Sequence, residues 1–278
     1  MLTVSGADLV WTGAAEIPGG IIRCAGGRVV DDVVAGEVLD ASGCVVTPGL
    51  VNAHHHLLQT AFRTLPGTRG VPMREWLPRM AAAYAAVGVD AELAGAAAAA
   101  GLAEGLLCGV ATGADHHLTW PSGDGVDLAL AVVAAAAELG ARLVFVRGTA
   151  RDDPEQAAAS ADAIASALGG DATGMVQVAV GPAGVHSDGE RTFALLGDVA
   201  ARHGLRRRTQ AGEQVDVEVA AQRYGRRPLE LLDEWGWLAP DVTLAHLCGV
   251  TSAEIATVAA AGVSVTHAPG CDVPMGWG

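Results

Sequence analysis

Histidines stand at the ends of four apolar, strand-like runs of this sequence. They are His54, His55 and His56 after the first run, His116 and His117 after the second, His246 after the sixth and His267 after the seventh. If these runs are parallel strands, their carboxyl ends meet at one rim, where a shared cavity forms. Imidazole is a ligand that suits zinc or iron(II). The placement therefore predicts a metal-dependent active site.

The densest histidine cluster lies in Thr47–Arg63, which reads TPGLVNAHHHLLQTAFR. Alternate side chains of an extended strand point the same way, so His54 and His56 can face one metal while His55 points elsewhere. Water bound to zinc loses a proton near pH 7 and becomes a nucleophile. The cluster therefore predicts a metal site, at which a bound water could be activated.

The sequence has two consecutive regions that differ in their pattern of apolar and turn-forming residues. Residues 1–48 hold short β-type runs separated by glycine and aspartate, with no long helical pattern, which predicts a small β unit. From residue 49 to 278, strand-like runs alternate with alanine-rich helical segments, which predicts βαβ units and a parallel sheet. The strand candidates are Leu50–Ala53, Ala111–Asp115, Leu143–Arg147, Val176–Val180, Leu205–Gln210, Val242–Ala245 and Val263–Thr266. Helices are predicted at Val126–Leu139, Pro154–Leu168, Arg191–Arg202, Pro228–Glu234 and Ala253–Ala261.

About seven strand–helix units can be counted, whereas a closed (β/α)₈ barrel has eight. The sequence ends at Gly278, just after the seventh strand candidate. We therefore expect a C-terminally truncated barrel that lacks its last strand, and an open sheet is the alternative.

The composition of the sequence argues against several classes of partner and of catalytic site. The formal net charge of −14 disfavours nucleic-acid partners and anionic membrane surfaces. All 17 basic residues are arginine, which removes Schiff-base lysines, P-loop lysines and metal sites bridged by a carboxylated lysine. Five scattered cysteines and the absence of a signal-peptide pattern favour a cytoplasmic location. The hydrophobic content of 51% permits a homodimer.

The motif PGLVNAHHH resembles the first-strand motif of the amidohydrolase superfamily. The segments HHHLLQT and ATGADHHLTWP (Ala111–Pro121) are similar to 8-oxoguanine deaminases, within the deaminase and chlorohydrolase branch. The resemblance implies an α/β fold: a TIM-like (β/α)₈ barrel with an N-terminal β unit that forms half of a composite β-sandwich. It also implies one divalent metal, with Zn²⁺ favoured and Fe²⁺ as the alternative, and a small heterocyclic substrate.

Carried over by position, the resemblance makes His54 and His56 metal ligands, Glu213 the proton shuttle and His246 the histidine that orients water or substrate. Gln210 stands where the family has its third metal histidine, and its amide oxygen is a weaker zinc donor than imidazole. The family's aspartate ligand after strand eight would lie beyond Gly278. Independently of the resemblance, the arginine run 206–208 is expected to form a solvated strand edge, with an anion site as the alternative. Six residues are candidates for substrate binding: Gln59, Trp76, His116, His117, His186 and His267.

The function implied is hydrolytic deamination of a heteroaromatic amine, with an 8-oxoguanine-like purine favoured. Dechlorination or dealkylation of a triazine, or deamination of a pterin, keeps the fold and changes the substrate. The alternative of another class is an inactive chain, either truncated or a pseudoenzyme that binds a heterocycle. Gln210 and the missing aspartate both support this last reading.

Overall fold

Seven strands from residue 50 onwards form one sheet, in which each strand lies beside its successor in the chain. The computed structural model describes residues 1–33, 35–120, 123, 125–170 and 173–275. The predicted alternation of strands and helices is confirmed there. The seven strands are β8 (Leu50–His55), β9 (Val110–His117), β10 (Arg142–Thr149), β11 (Val176–Pro182), β12 (Arg206–Ala211), β13 (Val242–His246) and β14 (Ser264–Thr266).

The sheet is curled into a barrel. Neighbouring strands from β9 to β14 pair in parallel register. In a flat sheet, β8 and β13 would lie about 24 Å apart, because five spacings of about 4.8 Å separate them. Instead, the ring centroids of His54 on β8 and His246 on β13 are 5.0 Å apart. The predicted TIM-like α/β fold is therefore confirmed, with seven barrel strands in the described part of the chain.

Helices connect successive strands of this barrel, as the parallel arrangement requires. A 3-10 helix at Leu57–Phe62 follows β8. The α-helices are α1 (Met73–Val87), α2 (Ala91–Leu107), α3 (Val126–Leu139), α4 (Pro154–Leu168), α5 (Glu190–His203), α6 (Gln214–Tyr224), α7 (Pro228–Glu234), α8 (Ser252–Ala260) and α9 (Pro269–Met275). Among the described helices, none is both long and apolar enough to cross a membrane.

Short strands form two small sheets in the first 50 residues. The chain divides into two compact units, Met1–Leu50 and Val51–Gly278. In the first unit, the sheets have the strand orders β5-β4-β1-β6 and β3-β2-β7. Their strands are β1 (Leu2–Ser5), β2 (Leu9–Trp11), β3 (Glu16–Pro18), β4 (Ile22–Ala25), β5 (Arg28–Val29), β6 (Glu37–Asp40) and β7 (Val45–Val46).

Buried apolar side chains pack the strands of the second unit against its helices. Leu143 and Phe145 on β10 are fully buried, as is Ile164 on α4. Alanines at the helix surfaces, such as Ala98 and Ala129, let the helices approach closely. By contrast, the carboxyl ends of β9 and β12 carry buried polar side chains. These strand ends position the candidate site.

Candidate active site

The carboxyl ends of the barrel strands surround a cavity of about 600 Å³. This volume lies within the range of small-molecule sites. Most of the residues predicted from the sequence line it. They are His54, His56, Gln59, Trp76, His186, Gln210, Glu213 and His246.

His54 and His56 lie at the end of β8, with ring centroids 4.9 Å apart and ring planes at 84°. The Nδ1 atom of His56 donates to the His116 carbonyl oxygen at 2.6 Å, because a carbonyl can only accept. Its lone pair is therefore on Nε2. Burial lowers the pKa of His54 well below its usual range and that of His56 to about 4. Both rings are thus neutral at pH 7, the form that binds a metal.

The Nε2 atom of His54 is buried and has no hydrogen-bond partner among the described residues. A buried polar atom of this kind requires an explanation, and a role in binding a metal ion or a ligand is one. The Nε2 atom of His54 is therefore a candidate for contact with a bound metal or substrate.

Arg208 and Gln210 point into the barrel from β12, two residues apart on the same side of the strand. Arg208 donates from Nη2 to the Ala53 carbonyl oxygen, and burial lowers its pKa to about 10. The Oε1 atom of Gln210 lies 3.1 Å from Nε2 of His246. The expected solvated strand edge is therefore wrong for Arg208, because alternation turns its half-buried side chain inward. Arg207, on the other side of the strand, pairs with Asp241.

Glu213 precedes α6 and is 1% exposed. Burial, followed by the nearby carboxyl groups of Asp216 and Asp272, raises the pKa of Glu213 to about 8. Its Oε2 atom is buried and has no hydrogen-bond partner in the described part of the chain. Glu213 is therefore a carboxyl group that titrates close to neutral pH, where a side chain can both accept and donate a proton.

His246 ends β13 in a left-handed backbone conformation, with φ of 75°. A non-glycine residue in this region stores about 1–3 kcal/mol of strain, and such residues cluster at functional sites. The next turn is tied to the end of β12, because Leu247 N donates to the Ala211 carbonyl oxygen at 2.9 Å. This link places His246 Nε2 3.9 Å from Glu213 Oε1.

Asp272 is a site residue that the sequence did not predict. It lies in α9, is 1% exposed and has its Oδ1 3.0 Å from Nδ1 of His246. The position follows the seventh strand, whereas the family pattern placed the expected aspartate after an eighth. In sequence it carries no signal beyond its nearness to His267.

A second buried aspartate fixes His186. Asp216 Oδ1 lies 3.1 Å from both the backbone nitrogen and Nδ1 of His186, and Oδ2 accepts from Gly212 N at 2.9 Å. His186 is thus held at the cavity by a carboxylate from the start of α6. Asp216 was also not predicted, because its role depends on contacts between loops.

The other predicted substrate-binding residues are placed differently. His116 is buried with Nε2 3.0 Å from the Gly181 carbonyl oxygen, and His117 packs against Trp120. These two and His267 lie outside the cavity lining, and His267 is exposed at the rim. Gln59 lines the cavity. Substrate contact by any of them stays a prediction.

The described residues bring two groups of three metal-ligating side chains together, each with its ligand atoms within 4.8 Å of one another. One group is Glu213, His246 and Asp272, and the other is Cys248, His267 and Asp272. Asp272 belongs to both. The paired His54 and His56 belong to neither.

Known proteins share this architecture. The profile of the amidohydrolase family matches residues 45–274. The chain is 33% identical to the 8-oxoguanine deaminase of Pseudomonas aeruginosa over 91% of its own length, and 30% identical to 5-methylthioadenosine/S-adenosylhomocysteine deaminase 2 of Archaeoglobus fulgidus over 97%. It superposes with a TM-score of 0.92 and 28% identity on the atrazine chlorohydrolase of Arthrobacter aurescens TC1 complexed with zinc.

The matches cover all or most of this chain but only part of each related protein. The superposition on the chlorohydrolase spans all of this chain and 68% of that one. This chain spans 61% of the length of the Pseudomonas deaminase and 65% of the Archaeoglobus deaminase.

Proposed function

The chain belongs to the amidohydrolase family, and on that premise we propose that it catalyses the hydrolytic deamination of a heteroaromatic amine. One observation carries the proposal. The Nε2 atom of His54 and the Oε2 atom of Glu213 are both buried without a partner among the described residues, and both residues line the same cavity. An unsatisfied imidazole beside an unsatisfied carboxyl group fits a site completed by a metal and a substrate.

The donors around His54 fit a divalent metal, and we favour zinc. His54 and His56 would hold it through neutral imidazole nitrogens, and Gln210 would add a carbonyl oxygen. When bound, zinc supplies the Lewis acidity that makes water a nucleophile at neutral pH. The solved chlorohydrolase is complexed with zinc. Iron(II) is the alternative, because imidazole suits it as well.

Glu213 would move the proton. In the deamination, a C–O bond forms from water, the C–N bond breaks and ammonia leaves. Glu213 would take a proton from water at one carboxylate oxygen and give it to the departing nitrogen. The pKa of about 8 suits this double role, because groups titrating near neutral pH both accept and donate protons efficiently there.

His246 and the cavity wall would hold the substrate. The Nε2 atom of His246 lies 3.9 Å from Glu213 and would orient the water or the ring. Trp76 offers an aromatic face on which a flat heterocycle can stack. Gln59 and His186 would add hydrogen bonds at the ring edge.

An 8-oxoguanine-like purine is the substrate that we favour, since an 8-oxoguanine deaminase is among the most similar relatives. Triazines and pterins are alternatives that use the same chemistry. The test is ammonia release by the full chain, after zinc loading, from 8-oxoguanine, isoxanthopterin and an aminotriazine, with chloride release from a chlorotriazine. We expect ammonia from 8-oxoguanine, and its loss after chelation of the metal.

A second candidate function is heterocycle binding without turnover. The presence of Gln210 in the cavity lining favours it, because an amide oxygen is a weaker metal donor than the imidazole that the family has at this position. The same assay separates the two candidates. Calorimetric binding of 8-oxoguanine to zinc-loaded protein that releases neither ammonia nor chloride would contradict deamination and support this second function.

A further inference from the structure

Cys248, His267 and Asp272 form a compact group on the rim of the barrel, outside the donors assigned to zinc above. One ligand atom from each lies within 4.8 Å of the other two. Cys248 is in the turn after β13, whereas His267 and Asp272 follow β14. Three side chains from two strand ends thus converge at one point.

The contacts within this group orient its members. The Cys248 thiol lies beside the Asp272 carboxylate, with the two ligand atoms within 4.8 Å of each other. The Nδ1 atom of His267 lies 3.6 Å from Asp272 Oδ2 and 2.9 Å from the His246 carbonyl oxygen, so it is the ring nitrogen that faces the group. Asp272 is 1% exposed, Cys248 is partly buried and His267 is exposed, so the group reaches solvent on one side. A cation could therefore enter from solvent.

The chemistry of the donors selects the cation. A thiolate, an imidazole and a carboxylate are ligands for zinc or cobalt, whereas magnesium and calcium prefer oxygen donors alone. The thiolate and the carboxylate together would neutralise a divalent charge.

We propose that Cys248, His267 and Asp272 bind a thiophilic divalent cation of the zinc class, at a site separate from His54 and His56. Water would complete the tetrahedral coordination that zinc prefers. Because Asp272 also accepts a hydrogen bond from Nδ1 of His246, occupancy of this rim site is linked to the residue that lines the cavity.

Cobalt(II) tests the rim site directly. The chelated, metal-free chain is titrated with Co²⁺, and the near-ultraviolet thiolate-to-cobalt charge-transfer band is followed. Donors at His54 and His56 contain no sulfur, so only a cysteine ligand produces this band. We expect the band in the wild type and in the His54→Ala, His56→Ala double variant. Failure of the proposed zinc site would therefore leave this result unchanged.

Matched cysteine variants identify the ligand. We expect Cys248→Ser to lose the band completely and His267→Ala to weaken cobalt binding at least tenfold. Cys271→Ser is the control, because this exposed thiol lies next to Asp272 but outside the group, and it should keep the band. Absence of the band in the wild type, its survival in Cys248→Ser or its loss in Cys271→Ser would each overturn the proposal.

Discussion

The Nδ1 atom of His246 lies 3.0 Å from the Oδ1 atom of Asp272, although the two residues are 26 positions apart. Both side chains are buried; His246 ends β13, and Asp272 lies in α9, which follows β14. The contact leaves the other ring nitrogen of His246 facing Gln210 and Glu213. A carboxylate on one side of an imidazole fixes the orientation of the ring and of its proton.

Removing the Asp272 carboxylate should destabilise the fold. Asp272→Ala leaves the His246 Nδ1 donor without a buried acceptor, which costs about 1–3 kcal/mol. Asp272→Asn retains an acceptor and should lose less than half as much. Urea unfolding of metal-free protein measures both variants. Asp198→Ala, at an exposed position of α5, should stay within about 0.5 kcal/mol of the wild type. A loss for Asp272→Ala no greater than for Asp198→Ala would contradict the contact.

Glu213→Gln should separate catalysis from metal binding. The amide keeps the shape of the side chain but cannot transfer the proton, so ammonia release should fall by about 10²–10⁴-fold. Zinc content should stay unchanged, because Glu213 is not among the proposed ligands. Glu218→Gln, an exposed change on α6, should retain full activity. Equal activities of the two variants would show that Glu213 is not the proton shuttle.

Replacing Asp216, near the start of α6, should strongly lower the free energy of unfolding. It accepts hydrogen bonds from three donors, namely two nitrogens of His186 and the backbone nitrogen of Gly212. Asp216→Ala should therefore lower the free energy of unfolding by at least about 3 kcal/mol, with Asp216→Asn intermediate. Asp233→Ala, exposed on α7, is the control. If the three variants have the same urea midpoint, Asp216 does not anchor His186.

The stability of the protein should depend on pH through Asp188. Burial raises the pKa of Asp188 to about 6, above the ordinary value of about 4. Between these values the unfolded chain ionises while the folded one keeps its proton, so stability falls as pH rises from 4 to 6. The loss amounts to about 3 kcal/mol.

Asp188→Asn removes this titration and preserves the size of the side chain. The variant should match the wild type near pH 4 and exceed its stability by up to about 3 kcal/mol above pH 6. Urea unfolding at a series of pH values gives the difference, in which the other titrating groups cancel. A difference that does not change with pH would mean that Asp188 titrates normally.

Much of the barrel could be predicted because local signals agree with the fold. The predicted bounds of α3, α4 and α7 are confirmed. Gly140 takes the left-handed conformation just past α3, and Pro154 begins α4, as helix termini favour. The helix α6 is not among those predicted, because its valines alternate with polar residues as they would in a strand. Contacts with neighbouring elements decide its structure.

The residues of the candidate site also fall into two groups, those that the sequence could place and those that it could not. The strand-end residues His54, His56 and His246 could be placed, because parallel strands bring their carboxyl ends together whatever the loops do. Asp216 and Asp272 could not, since each contacts its histidine through the folded path of a loop. The inward orientation of Arg208 depends on strand register, which the sequence run of three arginines does not reveal.

Metal content tests the central claim most directly. Zinc per chain is measured by elemental analysis in the Cys248→Ser variant, which removes the rim site, with and without the additional changes His54→Ala and His56→Ala. The account predicts about one zinc per chain with the histidines present and none without them, since two imidazoles are the main donors. Equal zinc content in the two proteins, or none in either, would contradict a metal-dependent site at His54 and His56.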